Sequence, residues 1–304
     1  MRSAYTERQS DTVNSLSEWD SPATIGIVLK YGGFPHFVLD QRALRNRELL
    51  DDTVQRARAH GGYLLVPDVA LLELGKSTTW EKPTRAALAN LARHPAEVYC
   101  VTKSIGELLR EEREQKRPAY VLTSHDATMG FRALVEEVRA HTDEPSWREL
   151  RETLSPGALT AMQRAAAHFG RGFADYWSVW NSVPRADTRK RLLTRPADTF
   201  PEVLFGTEFE TIRIGVLKNI GFDDPASDVR KTASVTGLVE LCTAAWTLDW
   251  IAQGGYESAG RETLSHDGND IVYVTYALLG NGFASYDTKA CRMYGVLKSL
   301  LHGT

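Results

Sequence analysis

The sequence predicts an α/β protein in which helices cover both faces of a mainly parallel sheet, which is a three-layer α/β/α fold. Two observations carry this prediction. Short apolar runs alternate with amphipathic helical segments over the first 117 residues, and such alternation is typical of a parallel sheet between helical layers. Strand character returns near the C-terminus after a long helical stretch, which predicts one core assembled from two separated parts of the chain.

The first predicted elements are a buried strand and the helix after it. The short run His36–Leu39 ends at Asp40, as expected for a central strand that is covered on both faces. Apolar residues then recur at helical spacing from Ala43 to Val54, between Arg, Glu and Asp. This periodicity predicts one amphipathic helix.

Two further strand and helix pairs follow in order. Glycines at 61 and 62 end the helical pattern, and Tyr63–Val66 is the second predicted strand. An apolar helix starts after Pro67, because proline ends a strand and is tolerated at the first turn of a helix. Glu97–Val101 is the third predicted strand, and its amphipathic helix runs from Ile105 into the charged run EEREQKR.

The remaining chain divides by composition. Residues 1–23 are polar and predict a loose N-terminal arm, and residues 24–117 hold the first part of the α/β domain. Residues 118–256 show long helical periodicity with few strand signals, which predicts a helical insertion. Residues 257–304 are too few for a separate α/β domain and are expected to complete the sheet.

Composition and charge exclude several classes of protein. The 304 residues are 42% hydrophobic with a net charge of -3, so a nucleic-acid partner would need locally concentrated positive charge. Cys100, Cys242 and Cys291 are too scattered for a disulfide framework or a C-x-x-C metal site. No signal peptide and no run of ~20 apolar residues is found, so we expect a soluble cytoplasmic protein without a membrane span.

Acidic side chains at the ends of predicted elements are the candidate site. Asp40 and Asp287 end strands, Asp270 opens the apolar run IVYVTYALLG, and Glu73 lies inside the apolar face VALLEL. The carboxyl ends of parallel strands share one rim, so these four carboxylates are expected to meet there. Such a cluster suits Mg²⁺ or Mn²⁺ and metal-assisted attack of water on a phosphodiester.

Each acidic residue also has a purely structural interpretation. On local grounds, Asp40 and Asp270 fit the role of a helix N-cap equally well. Asp287 lies between Tyr286 and Thr288, where a turn residue is common. Glu73 is harder to explain in this way, because a charged residue on an apolar face needs a partner.

Four segments resemble the PIN-domain nucleases, in that family's order. They are FVLD ending at Asp40, LLVPDVALLEL with Glu73, VYCVTKSIGELL, and NDIVYVTYALLGNGFASYD with Asp270 and Asp287. The last resembles the closing pattern of the family, in which an Asp begins an apolar helix and a short strand ends in a hydroxyl residue, any residue and Asp. Two departures are Ser285, where Thr is more usual, and the β-branched stretch IVYVTY, whose propensity alone favours a strand.

The resemblance covers roughly residues 36–117 and 257–304, and it implies a PIN-like, metal-dependent endoribonuclease. Carried onto matching positions, it makes one group of residues the holders of one or two Mg²⁺ or Mn²⁺ ions: Asp40, Glu73, Asp270 and Asp287. Ser285 would position one of these carboxylates, and Asp267 is an auxiliary candidate close to Asp270. RNA is the expected substrate, with DNA left open. A role as a toxin, defence effector or RNA-processing enzyme, an inhibitor or complex partner protein, and a homo-oligomer are all compatible with the resemblance.

A basic run in the insertion is the candidate substrate-binding patch. The run RADTRKRLLTR holds five basic residues in eleven positions, which are Arg185, Arg189, Lys190, Arg191 and Arg195. Such a run can hold phosphates. A solvated helix face is the alternative, and it is somewhat more common.

Three alternative interpretations remain open at this stage. A strand-like stretch from Ala119 to Asp126 could close the site with Glu107, although the linking run EEREQKR looks too polar to pack against a sheet. Two His-Asp dipeptides, at 125–126 and 266–267, suggest an HD-type phosphohydrolase, but that chemistry uses an all-helical scaffold. The third alternative is a catalytically silent PIN-like interaction module that binds partners through the helical insertion.

Overall fold

The computed structural model describes eight segments of the chain, which cover residues 36–75, 79–119, 121–141, 143–153, 186–204, 234–253, 261–280 and 282–302, together with Gly206, Ile214 and Lys218. Within them, four strands form one parallel sheet in the order β3-β2-β1-β4. The strands are β1 His36–Leu39, β2 Tyr63–Val66, β3 Tyr99–Val101 and β4 Gly282–Ala284. The predicted α/β class and the parallel sheet are confirmed.

Helices precede and follow these strands. In chain order they are α1 Gln41–Arg45, α2 Arg47–Ala59, α3 Asp68–Gly75, α4 Glu81–Leu91, α5 Ile105–Gln115, α6 His125–Ala140, α7 Glu144–Thr153, α8 Ala186–Thr194, α9 Pro196–Leu204, α10 Val235–Ala252, α11 Arg261–Leu279 and α12 Thr288–His302. A 3-10 turn, Ala96–Val98, precedes β3. No helix in the described part of the chain is both long and apolar enough to cross a membrane.

The sheet register joins the two ends of the described chain. Val38 of β1 pairs with Leu65 of β2 on one side and with Phe283 of β4 on the other, both in parallel. Helix α2 contacts β1 and β2, and α11 contacts β1 and β4. The right-handed rule for parallel crossovers predicts that these two helices lie on opposite faces of the sheet. The result is the predicted three-layer arrangement, with β1 in the interior of the sheet.

Helix α11 lies between two hydrophobic clusters. Tyr273 and Tyr276 belong to the core around the sheet, while Ile271 and Val274 belong to a second core formed with α8, α9, α10 and α12. The stretch IVYVTY is therefore helical in spite of its β-branched residues, because a helix buried on all sides takes apolar residues at every position. Its propensity alone indicates a strand, and that indication is wrong.

Two helix boundaries differ from the predictions. The single helix expected from Ala43 to Val54 is broken at Asn46, which has an extended backbone and accepts a hydrogen bond from the Leu49 backbone N–H at 2.9 Å. Asn46 is therefore the N-cap of a new helix, α2, and not an interior residue of one continuous helix. Helix α11 begins at Arg261, so Asp270 lies within the helix and not at its start as predicted.

The predicted boundary at residue 118 does not separate two hydrophobic cores. Phe131 and Val135 of α6 are buried in the core that also contains the sheet, and α6 packs against β3 and α4. The described part of residues 118–256 adds no strand to the parallel sheet, since Thr102 and Thr123 form only an isolated antiparallel bridge. Residues 1–23 and much of 118–256 lie outside the described residues, so the arm and the full insertion stay predictions.

Glu112, in the charged run EEREQKR, joins α5 to the N-terminus of α10. Its side chain is fully buried and accepts hydrogen bonds from the backbone N–H groups of Ala119, Val235 and Thr236, at 3.0, 2.8 and 2.9 Å. The Thr236 hydroxyl donates a fourth hydrogen bond, at 2.6 Å. A carboxylate of α5 thus binds the N-terminus of α10, where free N–H groups favour a negative charge.

Glu240 is a second buried carboxyl on α10, and it is expected to make stability depend on pH. Burial raises its pKa from 4.5 to about 8, and its Oε2 has no hydrogen-bond partner among the described residues. The folded protein therefore keeps a proton on Glu240 that the unfolded chain loses above pH 4.5. Stability is lost as the pH rises from about 4.5 to about 8.

We expect Glu240→Gln to raise the melting temperature at pH 8 and to change it little at pH 5. Thermal unfolding followed by circular dichroism at both pH values measures the difference, with the exposed Glu114→Gln as the control. A difference from the wild type that is the same at pH 5 and pH 8 would contradict the assignment.

Candidate functional site

One edge of the sheet gathers the acidic side chains. Asp40 follows β1, and Ser285 and Asp287 follow β4. Because the two strands are parallel neighbours, their carboxyl ends meet, and the Asp40 backbone N–H donates to the Ala284 carbonyl at 3.2 Å. Glu73 on α3 and Asp270 on α11 approach the same place from the helices. We call Asp40, Glu73, Asp270 and Asp287 the acidic edge cluster.

Asp40 is a helix cap as well as a member of the acidic edge cluster. Its Oδ1 accepts a hydrogen bond from the Ala43 backbone N–H at 2.6 Å, so it is the N-cap of α1. Its Oδ2 accepts a hydrogen bond from the Ser285 hydroxyl, which links β1 to β4 through side chains. The carboxyl is buried, which raises its pKa, and the negative charge of Glu73 raises it further. The hydrogen bond that caps α1 therefore also fixes the orientation of a carboxylate of the acidic edge cluster.

Glu73 is held by two side chains of α11. Its Oε1 accepts a hydrogen bond from the Asn269 amide at 2.9 Å, and its Oε2 accepts one from the Tyr273 hydroxyl at 2.7 Å. Burial and the charges of Glu73, Asp40 and Asp270 raise the pKa of Tyr273 well above its usual value. Tyr273 therefore keeps its hydroxyl proton and remains a hydrogen-bond donor to Glu73. The Glu73 carboxylate, on the apolar face of α3, thus has the polar partners that a part-buried charge needs.

Asp270 is repelled electrostatically by three neighbouring acidic side chains. Burial first, and then the negative charges of Asp287, Asp267 and Glu73, raise its pKa to about 8, while Lys289 lowers it. No donor among the described residues forms a hydrogen bond with its carboxylate. These three carboxylates thus lie close enough to Asp270 to disfavour its negative charge.

Asp287 directly precedes α12, and its side chain is partly exposed. Its Oδ1 accepts a hydrogen bond from the Ala290 backbone N–H at 2.9 Å, and its backbone N–H donates to the Ser285 hydroxyl at 2.9 Å. Arg42 Nη1 lies 3.9 Å from Asp287 Oδ2. The Ser285 hydroxyl thus links the Asp40 carboxylate, to which it donates, to the Asp287 backbone N–H, from which it accepts.

Asp267, the auxiliary candidate, belongs to an ion-pair network beside the cluster. Its Oδ2 accepts hydrogen bonds from Lys289 Nζ at 2.8 Å and from the Trp250 indole N–H at 2.5 Å. Lys289 also lies 3.8 Å from Asp249 and 4.6 Å from the centre of the Trp250 ring. Helix α10, from the predicted insertion, therefore supplies two side chains that hold Lys289 next to the acidic edge cluster.

Lys289→Met is expected to destabilise the fold by about 2 kcal/mol, because it leaves the nearly buried Asp267 carboxylate without its cation, while Asp249 keeps its ion pair with Arg292 at 2.7 Å. Urea unfolding followed by tryptophan fluorescence measures the loss, since Trp250 belongs to the same network. Lys298→Met is the matched control, on the same helix and also packed against an aromatic ring, that of Tyr294. Equal effects of the two substitutions would contradict a special role for Lys289.

A second acidic pair lies near the ends of β2 and β3. Burial, followed by the negative charge of Glu107, raises the pKa of Asp68 to about 7. Glu107 itself accepts hydrogen bonds from the backbone N–H and hydroxyl of Ser104, at 2.7 and 2.8 Å, in a capping box of α5. The alternative in which Glu107 and Asp126 complete the site would therefore use one acid that is engaged in a helix cap, Glu107, and one that is exposed in the first turn of α6, Asp126.

The basic run of the insertion is only partly described. Arg185 lies outside the described residues, while Arg189, Lys190 and Arg191 lie on α8 and Arg195 directly follows it. Helix α8 packs against α9 and α10, and Arg191 forms an ion pair with Glu202 of α9. No member of the acidic edge cluster lies on these helices.

Several residues that support the cluster were not predicted from the sequence. Asn269 and Tyr273 flank Asp270 on α11, and Arg42 and Lys289 each follow a cluster aspartate by two positions. Polar residues next to candidate acids were the available signal for all four. The hydrogen bonds of Asn269 and Tyr273 to Glu73 become visible only in the folded structure, where α11 packs against α3.

In the described segments, no group of three or more His, Cys, Asp and Glu side chains stands in an arrangement that could hold a metal ion as it is. The side-chain oxygens of Asp40 and Glu73 accept hydrogen bonds from protein donors. The parallel sheet does not fit the all-helical scaffold of HD-type enzymes. In addition, the histidines of both His-Asp dipeptides, His125 and His266, are exposed on helices.

Comparison with known proteins leaves the site to be judged on its own geometry, since no family model, curated protein or solved structure matches the chain.

Proposed function

We propose that the chain is a metal-dependent ribonuclease of the PIN-like type, which hydrolyses RNA phosphodiester bonds at the acidic edge cluster. The observation that carries the proposal is the convergence of four carboxylates at one edge of a parallel sheet. They come from residues 40, 73, 270 and 287, which are widely separated in sequence and lie on or directly beside four different elements. Folding that gathers like charges has a cost, and binding a cation offsets it.

The donor set suits a hard divalent cation. The four side chains of the cluster offer carboxylate oxygens, which Mg²⁺ and Mn²⁺ prefer, and no thiolate or imidazole that would favour zinc. Asp270 has three negative neighbours and no hydrogen-bond donor among the described residues. Asp40, Glu73, Asp270 and Asp287 would hold the ion. When bound, it would polarise the phosphodiester and lower the pKa of water.

The other side chains orient the carboxylates. Ser285 donates to Asp40 and fixes one of its oxygens, while Asn269 and Tyr273 fix both oxygens of Glu73. Such outer partners are commonly needed to orient carboxylates that hold a metal ion. Asp270 can keep a proton near neutral pH until a cation displaces it, because its pKa is raised to about 8.

The experiment that tests the proposal is cleavage of single-stranded RNA and DNA by the purified protein in Mn²⁺, Mg²⁺ or EDTA. We expect cutting of RNA in Mn²⁺ or Mg²⁺, none in EDTA, and none by Asp40→Asn or Asp287→Asn. The exposed Asp126→Asn is the matched control and should cut like the wild type. Cutting that persists in EDTA, or in both cluster variants, would refute the proposed site.

A catalytically silent PIN-like module that binds partners through the helical insertion is the other outcome of this test. It predicts no cutting under any condition and unchanged partner binding in Asp40→Asn. Slower growth on expression of the wild type, relieved by Asp287→Asn, would support the enzyme and a toxin or defence role. An inhibitor protein that restores growth would identify the expected partner.

A further inference from the structure

Three arginines lie on the surface within seven positions of Asp40, and one of them, Arg42, lies beside Asp287. Arg42 and Arg45 are on the short helix α1, and Arg47 is the first residue of α2. All three are exposed, with 56% of the Arg42 side chain and 69% of the Arg47 side chain accessible. We call them the arginine rim.

We propose that the arginine rim binds the phosphate backbone of single-stranded RNA and holds it next to the acidic edge cluster. This inference rests on the proposed function, because it names the substrate-binding surface of the same site. Guanidinium groups suit this role, since they are always charged and can bind two phosphate oxygens at once.

The position of the rim is set by the site itself. Asp40 caps α1 through the Ala43 backbone N–H, so the carboxylate that belongs to the cluster also fixes the helix that carries two of the arginines. Arg42 Nη1 lies 3.9 Å from Asp287 Oδ2. A phosphate that contacts Arg42 would therefore lie beside two members of the cluster.

The positive charge of the rim is only partly neutralised. Asp51, the acid nearest to Arg47, already accepts two hydrogen bonds from Arg93, at 3.1 and 3.0 Å, and lies 2.9 Å from His94 Nε2. Arg47 Nε lies farther away, at 3.8 Å. Residues 41–59 carry five arginines against three acidic residues, in a chain with a net charge of -3.

The arginine rim is better placed than the basic run of the insertion, which the sequence favours. Arg191 is paired with Glu202, and α8 packs against α9 and α10. The rim instead begins two residues after Asp40. Local concentration of positive charge at the site is what a protein of slightly negative net charge needs in order to bind nucleic acid.

Binding of a fluorescein-labelled single-stranded RNA of mixed sequence to the full chain tests the inference, by anisotropy in EDTA at several salt concentrations. We expect the double variant Arg42→Gln/Arg45→Gln to bind about tenfold more weakly. The slope of log K against log salt should fall by about 1.4, or ~0.7 for each lost phosphate contact. Arg56→Gln/Arg58→Gln is the matched control. It makes the same change of charge, but at a position about 15 Å farther along α2 than Arg47.

Three results would overturn the inference. They are equal weakening by the two double variants, unchanged binding by Arg42→Gln/Arg45→Gln, and a wild-type protein that binds no RNA in EDTA. The last result would favour an acidic protein partner for the rim. Because this assay contains no divalent cation, failure of the nuclease proposal appears separately, as RNA that is bound through the rim and stays uncut in Mn²⁺.

Discussion

Asp270→Asn is expected to abolish metal-dependent cleavage and to stabilise the protein in EDTA. Loss of a partner that only orients a ligand commonly costs ~10–100-fold in metal affinity or activity, so loss of a proposed ligand should cost more than about 100-fold. The amide also removes the repulsion from Asp287, Asp267 and Glu73. Opposite changes in activity and stability are characteristic of a functional group that is held against its electrostatic preference.

The pH dependence of this stabilisation follows from the raised pKa. Asp270 has an ordinary pKa of 3.8, and about 8 in the folded protein. Its contribution to stability is lost as the pH rises between these values, because only the folded state keeps the proton. The gain in Asp270→Asn should therefore be larger at pH 8 than at pH 5, at a few °C in melting temperature for each ~1 kcal/mol.

Thermal unfolding in EDTA and in Mn²⁺ measures both parts of the expectation. Mn²⁺ should raise the melting temperature of the wild type, because a ligand that binds only the folded state stabilises it, and it should raise that of Asp270→Asn much less. Asp126→Asn is the control, since Asp126 is an exposed acid in the first turn of α6. A variant that is less stable than the wild type in EDTA would show that Asp270 has a structural partner.

Glu112→Ala is expected to cause the largest loss of stability, on the order of 3–5 kcal/mol. The substitution leaves the N–H groups of Ala119, Val235 and Thr236 and the Thr236 hydroxyl without their acceptor. A buried donor left unsatisfied costs ~1–3 kcal/mol, and relaxation of the helix end recovers part of the sum. Since domains are commonly stable by only 5–15 kcal/mol, this loss is a large fraction of the total.

Urea unfolding at equilibrium measures this loss, with the exposed Glu114→Ala as the control on the same helix. Glu112→Gln is a second variant, which keeps the size of the side chain but replaces one acceptor by an amide that cannot accept from an N–H group. We expect its stability to lie between those of the wild type and Glu112→Ala. If Glu112→Ala unfolds at the same urea concentration as Glu114→Ala, the carboxylate does not hold α5 and α10 together.

Local patterns were enough to predict the strands and most of the early helices. The runs His36–Leu39 and Tyr63–Val66 are β1 and β2 with the predicted bounds, because continuous apolar residues between turn signals are the pattern of a buried parallel strand. β3 is shorter than predicted, since Ala96–Val98 forms a 3-10 turn. The break at Asn46 was not predicted, because a cap and an interior polar residue look alike in a periodic pattern.

The connections between distant residues could not be predicted. Glu112 lies 123 positions before Val235, whose backbone it binds, and no local pattern reveals such a partner. The acidic residues were found because each ends or interrupts an apolar run, whereas Asn269 and Tyr273 were missed since polar residues on a helix are common. The basic run at 185–195 was favoured because charge density is visible in sequence, while the proximity of Arg42 to Asp287 is visible only after folding.

The pairing of β4 with β1 also determines when the site can form during synthesis. Val38 and Phe283 are register partners 245 positions apart, which ribosomes at ~5–20 residues per second take roughly 12–50 s to span. Throughout that time β1 has an unpaired edge, and such edges are prone to aggregation. Asp40 and Glu73 are translated early, whereas Asp270 and Asp287, which lie just before and just after β4, are translated about 200 positions later. A growing chain therefore lacks half of the acidic edge cluster until residues 270–287 have been translated.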